Sequence, residues 1–355
     1  MPNLESTASP AAAHEARWWE RAPDGRVHCF LCPRHCHLRE GQAGFCSLRV
    51  NRGGRLVSLG YGAPAAVHVD PIEKKPLFHF LPGTSVLSLG TTGCDLACSF
   101  CQNWDLSRSR PDPAPARRLG PADVVALAVE QGCPAIAFTY NEPTIWAEYV
   151  LDICAAARER GIATVMVTNG YITPAAFHDL YDHVTAANVD LKALSDEFYR
   201  RRTLARLEPV LDTLRRLRAE TGVWLEITNL LIPTLNDGPG EVRRLADWVL
   251  EQLGPDVPVH FTAFRPDFRL RDLPPTPPAT LRAARRIARE AGLRYVYEGN
   301  VPGEGAHTVC PGCGGLLIRR SWHAVLEDRL VDGHCPGCGQ AVPGYWRTPL
   351  PKENR

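Results

Sequence analysis

The stretch SVLSLGTTGCDLACSFCQN, residues 85–103, sets a short apolar run against three cysteines. Three residues separate Cys94 from Cys98 and two separate Cys98 from Cys101. Residues 85–90 read as a strand, and their nearly continuous apolar character is that of a strand buried on both faces. The loop opens at the carboxyl end of that strand, where barrels and open α/β sheets place their active sites. A disulfide takes two cysteines and a structural zinc site takes four ligands. A 4Fe-4S cluster also takes four ligands. With only three thiolates from the protein, one iron stays open to a ligand that is not protein. The competing reading is a zinc site completed by a distant residue such as His79.

Outward from this loop the same pattern repeats. Strand candidates follow at 135–140 (AIAFTY), 163–169 (ATVMVTN), 188–193 (NVDLKA), 223–232 (VWLEITNLLI), 259–264 (VHFTAF) and 294–300 (RYVYEGN), rich in Val, Ile and aromatics. Helical periods lie between them. In 144–160, Ile145, Tyr149, Val150, Ile153 and Ala157 share one stripe, and Thr173 before Pro174 reads as an N-cap with an N1 proline. Six or seven β-then-α units imply a parallel sheet, rolled into a full or partial barrel or left open. Four regions are expected. Residues 1–16 are rich in Ala, Ser and Pro and read as disordered. Residues 17–70 form an N-terminal cysteine-rich module, 71–302 the α/β body, and 303–355 a second cysteine-rich module.

The C-x3-C-x2-C loop, with Phe100 before its last cysteine, resembles the signature of the radical S-adenosylmethionine (radical SAM) superfamily. The resemblance implies an α/β fold, a partial (β/α) barrel of the radical SAM type, with small cysteine-rich metal-binding modules at both ends. It implies a 4Fe-4S cluster on Cys94, Cys98 and Cys101 whose open iron binds S-adenosyl-L-methionine, and reductive cleavage to methionine and a 5'-deoxyadenosyl radical. Downstream, TYNEP (139–143) stands where the superfamily has a Gly-Gly-Glu-Pro-like segment that holds the methionine amine. Tyr140 and Asn141 replace the glycines here, so the correspondence rests on Glu142. TNG (168–170) and DLK (190–192) look like the ribose and carboxylate contacts of pyruvate formate-lyase activating enzymes, which brings in Thr168, Asn169, Asp190 and Lys192. Taken singly, each segment also reads as a cap, a turn or a surface ion pair.

Together with DPIEKKPLFHFLPG, YNEPTIW, EITNLLIPTLND and HFTAFRPDF, the chain from about Trp18 to Trp346 resembles the radical SAM enzyme of the AmmeMemoRadiSam system. That family is grouped with the activating enzymes of glycyl radical enzymes. The resemblance implies AMMECR-domain and Memo-type partner proteins, with reduced ferredoxin or flavodoxin as electron donor. It leaves open which substrate the radical meets, a variant being a backbone glycine of a partner protein.

Eleven of the thirteen cysteines fall in three tight clusters, which suits metal-bound thiolates in a reducing compartment better than disulfides. CPGC at 310–313 and CPGCG at 335–339 are paired knuckles that aim Cys310, Cys313, Cys335 and Cys338 at one ion. With no redox role evident, structural zinc is the expectation there. Cys29, Cys32, Cys36 and Cys46 form a further four-thiolate set that suits zinc or a second iron-sulfur cluster equally. The interleaved His28, His35 and His37 are expected beside that site rather than as its ligands. Cys133 and Cys154 read as packing residues. Glu226, Asn229, His260 and Arg265 lie on or just past the later strands, where they could face the barrel mouth or serve as satisfied core polar groups.

Net charge is +1, which argues against a strongly basic nucleic-acid surface although a local patch does not show in the sum, and no apolar run reaches the length of a membrane span. Neither a basic segment nor an apolar one marks the start as a secretory signal, so a cytoplasmic protein is expected. A non-catalytic reading, an electron carrier or nucleic-acid binder using its cysteine modules, competes with the enzyme. It leaves the open iron and the seven βα units without a purpose.

Overall fold

A computed structural model of the protein describes residues 14–112 and 118–347. The expected disorder at the start lies, for residues 1–13, outside the described residues. The N-terminal region is built from strands of two to four residues, in two three-stranded antiparallel sheets. Strands β2 (Trp19–Arg21), β3 (Val27–Cys29) and β4 (Cys36–Leu38) make one sheet. Strands β1 (His14–Glu15), β5 (Arg49–Arg52) and β6 (Arg55–Ser58) make the other.

The body is one eight-stranded sheet in strictly sequential order: β7 (Ala66–Pro71), β8 (Ser85–Gly90), β9 (Ala135–Phe138), β10 (Ala163–Thr168), β11 (Ala186–Asp190), β12 (Trp224–Leu231), β13 (Val259–Ala263) and β14 (Val296–Glu298). Every neighbouring pair is parallel except β7 with β8, and β14 does not pair back to β7, so the barrel is partial. All seven strands expected from sequence are present. The sheet also holds the antiparallel edge strand β7, which apolar runs did not reveal.

The α-helices follow in order as α1 (Trp104–Ser107), α2 (Pro121–Glu130), α3 (Ala147–Glu159), α4 (Pro174–Tyr181), α5 (Asp196–Phe198), α6 (Glu208–Glu220), α7 (Pro239–Leu253) and α8 (Pro278–Ala291). The stripe expected on 144–160 is buried throughout, although its first turn, Pro143–Trp146, is a 3-10 helix. Thr173 stands at the expected N-cap of α4, but its hydroxyl caps nothing in that helix. It donates instead to the carbonyl of Phe30, tying α4 to the N-terminal region.

The two faces of the sheet differ in bulk. Leu87, Leu89, Ile136, Phe138, Met166, Val189 and Ile227 face the helices in the main core. Val86, Ala135, Ala137, Ala163, Val165 and Ala186 face the concave side, packed against Ile72, Leu77, Phe80 and Leu81. Small side chains there leave room for the segment before β8 to plug the lumen at the amino ends of the strands. The C-terminal region adds the sheet β15 (Thr308–Val309), β16 (Leu316–Ser321) and β17 (Ala324–Asp328) and closes the same end. Tyr345 exchanges backbone hydrogen bonds with Leu81 and His79, both at 2.7 Å. Among the described residues no helix is long and apolar enough to cross a membrane.

Candidate active site

The loop after β8 is pinned on every side by backbone contacts. Gly93 N–H donates to Leu106 O, Ala97 N–H to Thr203 O and Ser99 N–H to Arg202 O. The last two acceptors belong to a π-helical turn, Tyr199–Thr203, a feature frequent at functional sites. Asn141 clamps the loop base, accepting from Thr91 N–H at 3.1 Å and donating to Gly93 O at 2.7 Å. Gly93 needs its φ of 82° and its missing side chain, because a Cβ there would stand 2.0 Å from the Cys46 carbonyl oxygen.

So held, Cys94, Cys98 and Cys101 line one cavity of about 220 Å³ at the carboxyl ends of the strands, with Phe100, Tyr140, Asn141, Asn169, Asp190, Lys192, Thr228, Leu230 and Thr262. Lys192 Nζ donates to Asp190 Oδ2 at 2.9 Å and is mostly buried. Burial opposes its charge, but the Asp190 carboxylate and the Cys98 sulfur hold its pKa above the ordinary lysine value. Burial pushes the Cys98 thiol up to about 11, against the pull of Lys192. A bound metal would reverse that burial effect by taking the thiolate directly. Cys94 and Cys98 are half-buried, and both line the cavity.

Glu142 and Thr168 stand behind the cavity wall rather than on it. Glu142 is fully buried, and its oxygens accept from Thr144 N–H (2.9 Å), Thr168 Oγ1 (2.7 Å) and Asn169 N–H (2.8 Å). It therefore fixes the 168–170 turn, from which Asn169 reaches Asp95 at 2.8 Å. Burial and then the Glu142 charge push Asp95 up to about 8. Its Oδ2 has no partner among the described residues. Tyr140 was not singled out in the sequence. It adopts φ 72° and its hydroxyl donates to Asp70 at 2.7 Å, an anchor that holds it at the cavity wall.

Glu226 and His260 face the lumen at its opposite, closed end. Glu226 accepts from Phe78 N–H, His79 N–H, Trp224 Nε1 and His260 Nε2 at 2.6–3.0 Å. Of the two readings open for this pair, that of core polar groups holds and that of mouth residues does not. Asn229 points to Leu191 O and is buried. His79 is buried in the same closed end, hydrogen-bonded to Pro343 O and Tyr297, so it completes no site with the loop cysteines.

Cys310, Cys313, Cys335 and Cys338 converge, with all four sulfurs within 4.8 Å of one another and two pairs at 3.6 Å. Four sulfurs at roughly 2.3 Å from one tetrahedral ion have edges of roughly 3.8 Å, so this quartet fits a single metal ion. Cys94, Cys98 and Cys101 do not close to that distance. Three thiols around a cavity fit a larger polynuclear group with one position turned to the open space.

The profile of the Radical SAM superfamily matches residues 88–249. An uncharacterized protein of Methanocaldococcus jannaschii is 47% identical over 331 residues, covering 92% of this chain and 98% of its own. The pyruvate formate-lyase-activating enzyme of Clostridium pasteurianum is 25% identical over 161 residues, 44% of this chain and 65% of that enzyme. Among solved structures, a radical SAM methyltransferase from Sphaerobacter thermophilus superposes with a TM-score of 0.49 at 18% identity, over 66% of this chain and 71% of that one.

Proposed function

Since the chain belongs to the radical SAM superfamily, we propose that Cys94, Cys98 and Cys101 ligate a 4Fe-4S cluster and that the cavity beside them takes S-adenosyl-L-methionine. The cluster supplies the electron that cleaves the sulfonium to methionine and a 5'-deoxyadenosyl radical. The observation that carries this reading is the convergence of three thiols with Asn141, Asn169, Asp190 and Lys192 on one cavity at the carboxyl ends of parallel strands. Lys192 offers a cation to a carboxylate, and Asn141 and Asn169 offer amide groups to the polar end of an amino acid. Asp190 fixes Lys192, Glu142 and Thr168 fix Asn169, and Phe100 gives the cavity an apolar wall beside Cys98. Anaerobic reconstitution with iron and sulfide, then S-adenosyl-L-methionine and dithionite, is expected to yield 5'-deoxyadenosine and methionine. Iron-loaded protein that forms neither would overturn the reading.

The likeness to a pyruvate formate-lyase-activating enzyme supports a second reading, in which the radical takes hydrogen from a glycine of a partner protein. AMMECR-domain and Memo-type proteins are the partners the sequence resemblance brings, and reduced ferredoxin or flavodoxin is the donor. The C-terminal quartet holds structural zinc in this proposal, supported by its single-ion spacing. Cys29, Cys32, Cys36 and Cys46 hold a second metal centre.

A further inference from the structure

The N-terminal thiols lie directly behind the catalytic loop. Cys29 and Cys36 are paired across β3 and β4, on one face of that ribbon. Cys32 sits in the turn that joins them, and Cys46 packs its carbonyl against Gly93. His28 and His37, the neighbouring pair, stack on the other face with ring centroids 4.4 Å apart and make no claim on the thiols. Arg34 donates to the carbonyl of Asp95, the residue after Cys94, at 2.8 Å. That bond ties the segment carrying Cys32 and Cys36 to the residue after Cys94.

Burial is the main influence on Cys32, Cys36 and Cys46 and raises all three thiols, and backbone donors and arginines pull the other way. A backbone N–H faces three of them: Arg34 at Cys32, Phe45 at Cys36, and Leu48 with Arg49 at Cys46. Two arginine charges stand close, Arg34 by Cys36 and the buried Arg49 by Cys29 and Cys46. Arg34 Nη2 and Arg49 Nε are buried without a partner among the described residues. Amide hydrogen bonds to sulfur and nearby net charge are the levers that set the potential of an iron-sulfur cluster. The spacing separates this set from the C-terminal one. Among the described residues, only the C-terminal quartet brings three or more such ligand atoms within 4.8 Å. The N-terminal four do not meet that single-ion spacing.

We propose that Cys29, Cys32, Cys36 and Cys46 hold a second, fully ligated iron-sulfur cubane that passes electrons to the cluster on Cys94, Cys98 and Cys101. The relay rests on the proposed catalytic cluster, whereas the existence of the second cubane does not. Cys32 and Cys36 are half-buried and are not among the residues that line the cavity. One electron from a reduced ferredoxin- or flavodoxin-type donor reduces the second cubane. That cubane is reoxidised as the same electron moves to the catalytic cluster, and the electron ends in cleavage of the sulfonium carbon–sulfur bond. One electron enters for each S-adenosyl-L-methionine cleaved.

The test uses the full chain. Anaerobically reconstituted protein carrying Cys94→Ala, Cys98→Ala and Cys101→Ala together is expected to retain about four irons and four sulfides per chain. Folded protein of this kind with zinc in place of iron and sulfide overturns the second cubane. For the relay, Cys32→Ser with Cys36→Ser is expected to lose at least about tenfold of the 5'-deoxyadenosine made with reduced flavodoxin. Dithionite, small enough to reach the loop, should still drive cleavage within about twofold of wild type. Flavodoxin-driven turnover that survives overturns the relay, and so does a loss of both activities in protein whose catalytic cluster is intact by electron paramagnetic resonance. Should that variant not fold, spin counting on reduced wild-type protein decides. Two clusters, of which S-adenosyl-L-methionine perturbs one, support the proposal, and a single cluster overturns it. Wild type inactive even with dithionite defeats the catalytic reading, while the iron count of the triple variant still judges the second cubane.

Discussion

The two ends of the barrel lumen are built from the same strands and the same residue types, yet one is closed and the other open. At the closed end the Glu226 carboxylate has four donors within 3.0 Å and no exposure. Two residues further along β12, Thr228 donates to Asn188 at 2.8 Å, and Thr228, its register partner Asp190, and Lys192 border the cavity. Where the lumen is plugged the Glu226 carboxylate is saturated with donors, although His260 Nδ1 and Arg320 Nε are buried without a hydrogen-bond partner among the described residues. Where it opens, the Asp190–Lys192 pair and the amides of Asn141 and Asn169 border space that a ligand can enter. A buried carboxylate saturated by donors supplies stability, and polar side chains that border a cavity supply chemistry. Substitutions at the two ends should therefore fail in different ways.

The largest separation is expected between Cys98 and Cys313. Cys98→Ala removes one of three ligands, and 5'-deoxyadenosine formation should fall to background in protein that stays folded. Native-rate cleavage by soluble, iron-loaded Cys98→Ala protein would refute the cluster assignment. Cys313→Ala opens the single-ion quartet, whose binding free energy stabilises a small module with little core of its own. One metal equivalent should be lost and residues 303–347 should become sensitive to protease, with cleavage spared in the fraction that remains folded. Loss of cleavage in fully folded Cys313→Ala protein would make that quartet part of the catalytic apparatus.

Next in size is Glu226→Ala, which strips the acceptor from two backbone N–H groups, an indole N–H and His260. Breaking such a buried charged network typically costs about 3–5 kcal/mol, read from denaturant unfolding. Turnover per folded, iron-loaded chain should stay within about twofold. A large loss of turnover with unchanged stability would move Glu226 to the catalytic end.

That Glu226 and His260 were candidates for the mouth shows where sequence stops short. Period-two alternation puts Glu226, Thr228 and Leu230 of β12 on one face. It does not say which of them is level with the cysteine loop, and a step of two residues moves a side chain roughly 6.6 Å along the lumen. The parallel strands were legible because burial on both faces makes them continuous apolar runs. The edge strand β7, AVHVDP, was not: it is mostly exposed and carries His68, Asp70 and Pro71. The N-terminal strands are shorter than any period they could display. The loop cysteines, Asp190 and Lys192 were legible as chemistry. The shielding of Glu142 behind Thr168 and Asn169, and the part of Tyr140 in the wall, depend on contacts that only the folded chain makes.

The smallest effect is a pH dependence confined to the closed end. His79 Nδ1 faces the carbonyl of Pro343 at 2.7 Å, which can only accept, so that nitrogen carries the proton. Nε2 must then accept from the Tyr297 hydroxyl at 2.5 Å, which accepts in turn from Thr308, itself an acceptor for Arg320 Nη1 at 2.8 Å. Every donor in this chain points the same way, so a second proton on His79 would have to reverse the Tyr297 and Thr308 hydroxyls. Burial is the main cause that holds its pKa down at about 4, opposed by the charge of Glu226. An ordinary histidine in the unfolded chain titrates near 6.5. The unfolded state thus binds the extra proton first as pH falls, and stability drains between pH 6.5 and 4, by about 2 kcal/mol at pH 5. Glu226 adds in the same direction at lower pH. Burial would raise its carboxyl, but the His260 hydrogen bond and charge hold it below the ordinary value. Denaturant midpoints of wild type and His79→Gln, compared from pH 7 to pH 4.5, should converge as pH falls, because the glutamine variant has no such proton to bind. Parallel curves over that range would remove His79 as the acid-sensitive group of the closed end.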